Sequence, residues 1–361
     1  MKTKNNPLRL GWIGCGEFSK LVHFAALPGV AELKMTACCD QDGKKAAEAA
    51  GRFGIDQVFD NFREMLDQVE LDVVGVVGPP ALHVAAAKEL LARQIPFLVE
   101  KPVAARADEA RELARLAAKH GDCGQVGYTS RYSPAHRLAW RISHADEFGP
   151  ISDITTTHLT MERMHLYWDL KDPVESFVYL HGVHGIDLWR FFGGDPVEVA
   201  ASVSAVEKID ATYSYGSVLA YVRTANGGPH GTIRLKAGAA HNGEVSSDIS
   251  GNHSRVRVDD GQSVSYEHNQ DWIRKAMAGD PLENIFLREQ PTGHFLRTGM
   301  LSHTYFPDFF RFEWTAFARA VLKGEPLAPS ITDGFKTACL TDAICQSLRD
   351  GGKLVKVDYS C

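Results

Sequence analysis

The sequence predicts an α/β protein in two parts: a doubly wound parallel sheet, then a domain built on a mainly antiparallel sheet. Three observations carry this reading. From Leu8 to about Tyr128, short apolar runs alternate with amphipathic stretches, the pattern of parallel strands joined by crossover helices. Beyond Tyr128 the period shortens to the alternation of half-buried strands. And 361 residues are too many for one small core, given roughly 150 per domain. The boundary is placed at Tyr128, giving domains 1–128 and 129–361, with a terminal helix able to pack back on the first.

The first strand spans Leu8 to Ile13, and a helix starts near Glu17. A second strand, Leu33 to Asp40, precedes an alanine-rich helix around Lys44 to Phe53. Asn61 to Glu64 follows capping-box logic, with Asn61 accepting from the backbone and Glu64 reaching back. It leads into the buried strand Val73 to Val77. Pro79 and Pro80 end that strand and open the next helix, because proline lacks an amide donor yet fits a first helical turn. Phe97 to Glu100 is a short strand, and Ala110, Leu113, Ala114 and Ala117 form the apolar stripe of a helix that stops before Gly121. In the second domain the strands are Ile151 to Leu159, Val197 to Val206, Ser217 to Arg223, Gly231 to Leu235 and Ser254 to Val258. One helix, about Gly182 to Phe192, interrupts them. Two more close the chain, Asp308 to Leu322 and Asp333 to Arg349, stopped by Gly324 with Pro326 and by Gly351 with Gly352. Residues 259–304 follow neither period and are left unassigned.

Composition narrows the function classes. With 44% hydrophobic and 23% charged residues the chain lies in the globular range, outside collagen-like, low-complexity or disordered compositions. A formal charge of -6 draws the chain as a whole neither to nucleic acid nor to an anionic membrane. A polar amino terminus and an apolar run broken by Gly11, Gly14 and Gly16 match neither a signal peptide nor a membrane span, so a cytoplasmic protein is expected. The seven cysteines show neither framework spacing nor a Cys-x-x-Cys clip, as expected of reduced thiols, and none reads as a metal ligand.

Gly14-Cys15-Gly16-Glu17-Phe18-Ser19 stands between a strand and a helix and follows the dinucleotide fingerprint, with Ser19 in place of the third glycine. Gly14 permits the tight turn, Gly16 lets a pyrophosphate approach the backbone, and the helix start offers free amides. Asp40 lies some two dozen residues beyond Gly16, near the roughly 20-residue spacing at which a carboxylate meets the adenosine ribose hydroxyls. That favours NAD. Lys44 and Lys45 leave NADP open, and a plain turn-capping role for Asp40 is the alternative. Glu100-Lys101-Pro102 ends a parallel strand, where ligands of open α/β sheets bind. Lys101 could hydrogen-bond a hydroxyl and stabilise alkoxide charge, with Pro102 a candidate cis residue; on position alone a surface Glu100–Lys101 salt bridge is an equal reading. On the helix around residue 184, His184 and Asp187 share a face, so imidazole is a candidate base with Asp187 its orienting partner. His181 lies one turn away, but a metal site lacks a third ligand, and no metal is expected.

Taken in order, Gly11-Trp12-Ile13-Gly14-Cys15-Gly16, Cys39-Asp40, Pro79 with His83, Glu100-Lys101-Pro102, Arg131-Tyr132-Ser133-Pro134 and His184-Gly185-Ile186-Asp187 resemble the Gfo/Idh/MocA family of nicotinamide-dependent oxidoreductases over nearly the whole chain. The resemblance implies an amino-terminal Rossmann domain and a carboxyl-terminal α/β domain with an open sheet. It further implies a homodimer or homotetramer formed through that sheet, and sugar, inositol or related polyol substrates. It makes Lys101 the catalytic lysine and His184 the active-site histidine. Gly14, Gly16, Glu17, Phe18, Asp40, Pro79, His83, Glu100 and Lys101 then fall around the dinucleotide. Many members carry an aspartate four residues before the histidine; Leu180 stands there instead, which leaves His181 or Tyr179 as a compensating substrate contact. Pro80 likewise replaces an asparagine often found after Pro79. The expected activity is hydride transfer between a secondary alcohol and NAD. A nicotinamide-binding regulator that has lost chemistry is the alternative, with Leu180 as its motive.

Overall fold

Leu8–Ile13 (β1), Leu33–Cys39 (β2), Gln57–Phe59 (β3), Val73–Val76 (β4), Phe97–Glu100 (β5) and Gly124–Gly127 (β6) pair in parallel in the order β3-β2-β1-β4-β5-β6. β4, β5 and β6 are buried at every residue, as strands covered on both faces must be. The order reverses between β1 and β4, the switch point beside which open α/β sheets take their ligands. The computed structural model describes residues 6–168, 170–210, 212–238, 243–252, 254–261, 263–267, 285–290, 293–298 and 305–361. They divide into two units, one within 1–129 and 302–335 plus Cys361, the other within 130–301 and 336–360.

In the first unit, local chemistry sets the helix ends as expected. Asp42 caps Gly43–Phe53 by accepting from Lys44, and Gly54 ends it at φ 68°. Asn61 accepts from the Arg63 amide, the first half of the expected box. Pro79 precedes Pro80–Arg93, and the stripe Ala110, Leu113, Ala114 and Ala117 of Ala107–His120 is buried. Two short strands, β3 and β6, were not among those named from the sequence. Tyr305–Lys323 belongs to this unit, and its Trp314 lies 5.5 Å from the Trp12 ring. Gly75 makes room for both indoles: a Cβ there would stand 2.5 Å from Trp12 and 3.0 Å from Trp314.

The second unit carries an 11-stranded sheet. Its strands are Ile151–Thr160 (β7), Met164–His165 (β8), Glu198–Lys208 (β9), Tyr213–Arg223 (β10), His230–Ala237 (β11), Glu244–Gly251 (β12), Arg255–Asp259 (β13), Ser263–Glu267 (β14), Ile285–Gln290 (β15), Gly293–Thr298 (β16) and Val355–Lys356 (β17). The order is β15-β16-β14-β13-β12-β7-β11-β10-β9-β17, with β8 on β10. Only β7 and β11 pair in parallel among the described strands, so the sheet is mainly antiparallel as expected. One face of β10, with Val218, Ala220 and Val222, joins a core that includes Ile186, Trp189 and Leu340. Leu219 and Tyr221 point the other way and are exposed.

Three readings change. Pro134–Ser143 is a helix not named from the sequence, although Ser133 caps it, Pro134 opens it and Ala135, Leu138, Ala139 and Ile142 keep the helical period. Residues 259–304, left unassigned, contain β14, β15 and β16; the rest of that stretch mostly lies outside the described residues. The helix expected from Gly182 runs over 173–193, and at Val178–Gly182 it winds with i→i+5 bonding. Such wide turns recur at functional sites. This one shifts the angular register between His181 and His184 away from that of an ideal helix.

Candidate active site

The glycine turn is built where the fingerprint predicts. Gly14 sits at φ +94°, and a Cβ there would lie 1.8 Å from the Val77 carbonyl oxygen, so no larger residue fits. Gly16 faces open space, with no atom within 4 Å of a built Cβ, which leaves its backbone approachable by a phosphate. Ser19, at the third-glycine place, is fully buried and donates its hydroxyl to the Gly14 carbonyl at 2.6 Å, while Trp12 Nε1 donates to the same oxygen at 2.8 Å. A helix follows over 17–29, with i→i+5 winding at Ser19–His23. Glu17 pairs with Lys20 at 2.7 Å, and Phe18 is 42% exposed beside the turn. Asp40 follows β2 and accepts the Cys15 amide at 2.8 Å and the Asp42 amide at 2.9 Å. It thus ties the glycine turn to the second strand as well as supporting its own turn. An open glycine, a strained glycine and a carboxylate beside them suit a dinucleotide with free ribose hydroxyls.

Lys101 leaves the carboxyl end of β5, two strands from the Gly14 turn across β4. The Lys101–Pro102 bond is cis. Glu100 is 3% exposed, which overturns the surface salt bridge as a reading of this corner. His83 is buried too. Its Nδ1–H donates to the Pro102 carbonyl at 2.9 Å and its Nε2 accepts the Gly78 amide at 3.0 Å, so the ring clips the turn after β4 to the chain after β5. Burial pushes this imidazole down to about 4, the Pro102 bond only partly opposing it. Pro79 lies between Gly78 and the helix that Pro80 opens.

In the second unit, His184 stacks on His158 of β7, ring centroids 5.2 Å apart at 26°. Two glycines let its helix close on the sheet. A Cβ on Gly182 would meet Leu235 at 2.7 Å, and one on Gly185 would meet Leu235 at 3.2 Å and His158 at 3.4 Å. Thr156 donates to the Gly185 carbonyl at 2.9 Å. Asp187, expected to orient His184, offers both carboxylate oxygens to Arg131. His181 lies 2.9 Å from Glu162, and the buried Tyr179 hydroxyl donates to Asp342. Leu180 is half-buried within the wide turn. Among the described residues no group of three His, Cys, Asp or Glu assembles for a metal.

Residues 8–128 match the family described as an oxidoreductase family with an NAD-binding Rossmann fold, and residues 129–357 match its C-terminal alpha/beta domain. The chain belongs to the Gfo/Idh/MocA family. It is 24% identical to the inositol 2-dehydrogenase of Rubrobacter xylanophilus, over 97% of this chain and 94% of that protein. It is also 24% identical to the levoglucosan dehydrogenase of Pseudarthrobacter phenanthrenivorans, over 94% of this chain and 96% of that one. A solved levoglucosan dehydrogenase in complex with NADH and levoglucosan shares the fold at a TM-score of 0.78 and 21% identity, covering 98% of this chain and 100% of its own. The chain is thus an oxidoreductase with NAD as its cofactor.

This Gfo/Idh/MocA chain holds residues that its sequence did not flag. His158 stands on β7 as a polar residue at a core-facing position, a signal visible only once the strand's inward face is known. Trp314 and His23 meet through a hydrogen bond across 291 residues, and nothing local announces that contact.

Proposed function

We propose that this chain is an NAD-dependent dehydrogenase acting on a secondary alcohol of a cyclic polyol or sugar. The carrying observation is the common edge of β1, β4 and β5. The open Gly16, the Gly14 turn, the Gly78-Pro79 turn and Lys101 all leave the sheet there, beside the switch point. Gly14, Gly16, Glu17, Phe18 and Asp40 hold the dinucleotide, with Pro79 and His83 shaping the wall around it. The bound nicotinamide supplies the hydride acceptor or donor. Lys101 holds the reacting oxygen by a charged hydrogen bond, and His184 takes the hydroxyl proton in oxidation and returns it in reduction. Asp40 favours NAD, because a 2′-phosphate would meet its negative charge. The inositol and levoglucosan dehydrogenases among the relatives support the substrate class.

The same reading includes a homo-oligomer in the cytoplasm. Leu219 and Tyr221 stand 46% and 42% exposed on the outward face of β10, large apolar side chains of the kind that interfaces cover. None of the seven cysteines is in a disulfide, which supports a reducing compartment.

The test is NADH absorbance on mixing purified protein, NAD and a panel containing myo-inositol, levoglucosan and simple glucosides. Turnover is expected on a cyclic polyol, and His184→Ala should lower kcat by about 10² to 10⁴. Tight NAD binding without turnover on any of them would favour the regulator that Leu180 suggests.

A further inference from the structure

Glu100 is a buried acid beside the lysine. Its Oε2 accepts the backbone amide of Lys101 at 2.9 Å, and its Oε1 lies 3.2 Å from Nε2 of His23. Gly127 leaves space for it, since a Cβ there would come within 3.1 Å of Oε1. His23 is fully buried and walled by Phe310, Trp12 and Phe18 at 4.8, 5.3 and 5.5 Å between ring centres. Its Nδ1 receives the indole N–H of Trp314 at 3.1 Å. An indole nitrogen only donates, so Nδ1 carries the lone pair and the proton sits on Nε2, facing Glu100. That contact is electrostatic and bent rather than a well-aligned hydrogen bond. Beyond Lys101, the Pro102 carbonyl is held by His83. Lys101 therefore stands between two clamps.

We propose that His23 is a positioning residue: with Trp314 it orients the buried Glu100 carboxylate, which in turn fixes the backbone of Lys101 and sets a buried acidic group one residue before it. The proposal rests on the reading of Lys101 as the group that holds the reacting oxygen. A carboxylate shielded from water favours a neighbouring ammonium. His83, also at this corner, stays neutral near pH 7, because burial pushes it down to about 4. No part of His23 meets solvent, and its two ring nitrogens face Trp314 and Glu100.

The experiment uses the full chain with Glu100→Gln, His23→Leu, His23→Gln and Lys101→Met. Three quantities are read: kcat and KM on the polyol that turns over, the Kd for NAD, and the titration of Lys101. The titration is followed by NMR of ¹³C-dimethylated lysines, with the Lys101 signal identified by its loss in K101M. E100Q and H23L should lower kcat by about 10²-fold, the effect of a reacting group misplaced by about 1 Å, and in H23L the Kd for NAD should hold. Lys101 should titrate about one unit lower in E100Q, because a buried negative charge one residue away is removed. H23Q keeps an N–H toward Glu100 and should restore most of the rate. An unmoved Lys101 titration in E100Q, or an H23Q as slow as H23L, overturns the proposal. If H23L does not fold, E100Q and H23Q carry the test, since both preserve shape. An inactive K101M with wild-type E100Q overturns this proposal alone; wild-type turnover in K101M overturns the reading of the lysine and the proposal with it.

Discussion

Arg131 closes a two-pronged ion pair on Asp187, with Nε and Nη2 each 2.6 Å from a carboxylate oxygen. Asp187 is 1% exposed, and Thr337 donates to the same carboxylate at 3.3 Å. Arg190 reaches Thr337 at 2.7 Å and so extends the network. The pair fastens the Arg131-Tyr132-Ser133-Pro134 segment to the helix that carries His184.

Breaking that pair should be costly. Arg131→Ala leaves a buried carboxylate unmatched and is expected to lose about 3–5 kcal/mol of stability. Arg131→Lys keeps the charge but not the fork and should fall between Ala and wild type. Urea denaturation of both variants checks this; equal midpoints for Ala and wild type would refute it.

Gly14 and Gly16 should fail differently. Gly14→Ala forces a Cβ against the Val77 carbonyl at positive φ, so the melting temperature should drop by several degrees. Gly16→Ala enters open space and should leave the melting temperature alone while weakening NAD. Calorimetry of both, apo and with NAD, separates fold from binding.

Asp40→Ala should weaken NAD and relax discrimination against NADP, because the charge that disfavours a 2′-phosphate is gone. Titration of both cofactors into wild type and variant measures it. A wild type that prefers NADP would contradict the role given to this carboxylate.

His83 makes stability depend on pH. Its folded value of about 4 lies below the ordinary 6.5, so the ring is neutral in the fold while the unfolded chain takes up a proton below pH 6.5. The contribution is complete above that pH and is lost as pH falls from about 6.5 to about 4, by a few kcal/mol at most. Denaturation midpoints between pH 7 and 4 should slope less in His83→Gln than in wild type; parallel slopes would remove this residue as a cause.

His136 is fully buried, and neither ring nitrogen has a hydrogen-bond partner among the described residues. Burial pushes it down to about 3. His136→Leu removes an unsatisfied polar group and is expected to gain about 1 kcal/mol. A loss on chemical denaturation would show that the imidazole serves the fold.

The glycine turn, the proline-led helix, strands β1 and β5 and the stop glycines were legible because each is encoded within a few residues. Periodicity, caps and positive-φ positions are local constraints. The wide turn at Val178–Gly182 was not legible, because i→i+5 winding has no distinct pattern in sequence and moves the faces on which His181 and His184 lie. The helix at Pro134–Ser143 was legible too, since Ser133 caps it and Ala135, Leu138, Ala139 and Ile142 keep the helical period.

What the sequence determined by itself was the kind of chain: two α/β domains, a dinucleotide turn with an acid at the ribose distance, and a lysine at a strand's carboxyl end. Tertiary structure alone decided who supports those groups. Trp314 with His23, Arg131 with Asp187, and His158 beside His184 are partners drawn from distant segments. Such pairings follow from sheet register and from the burial of whole faces, energies summed over many residues that no short stretch of sequence contains.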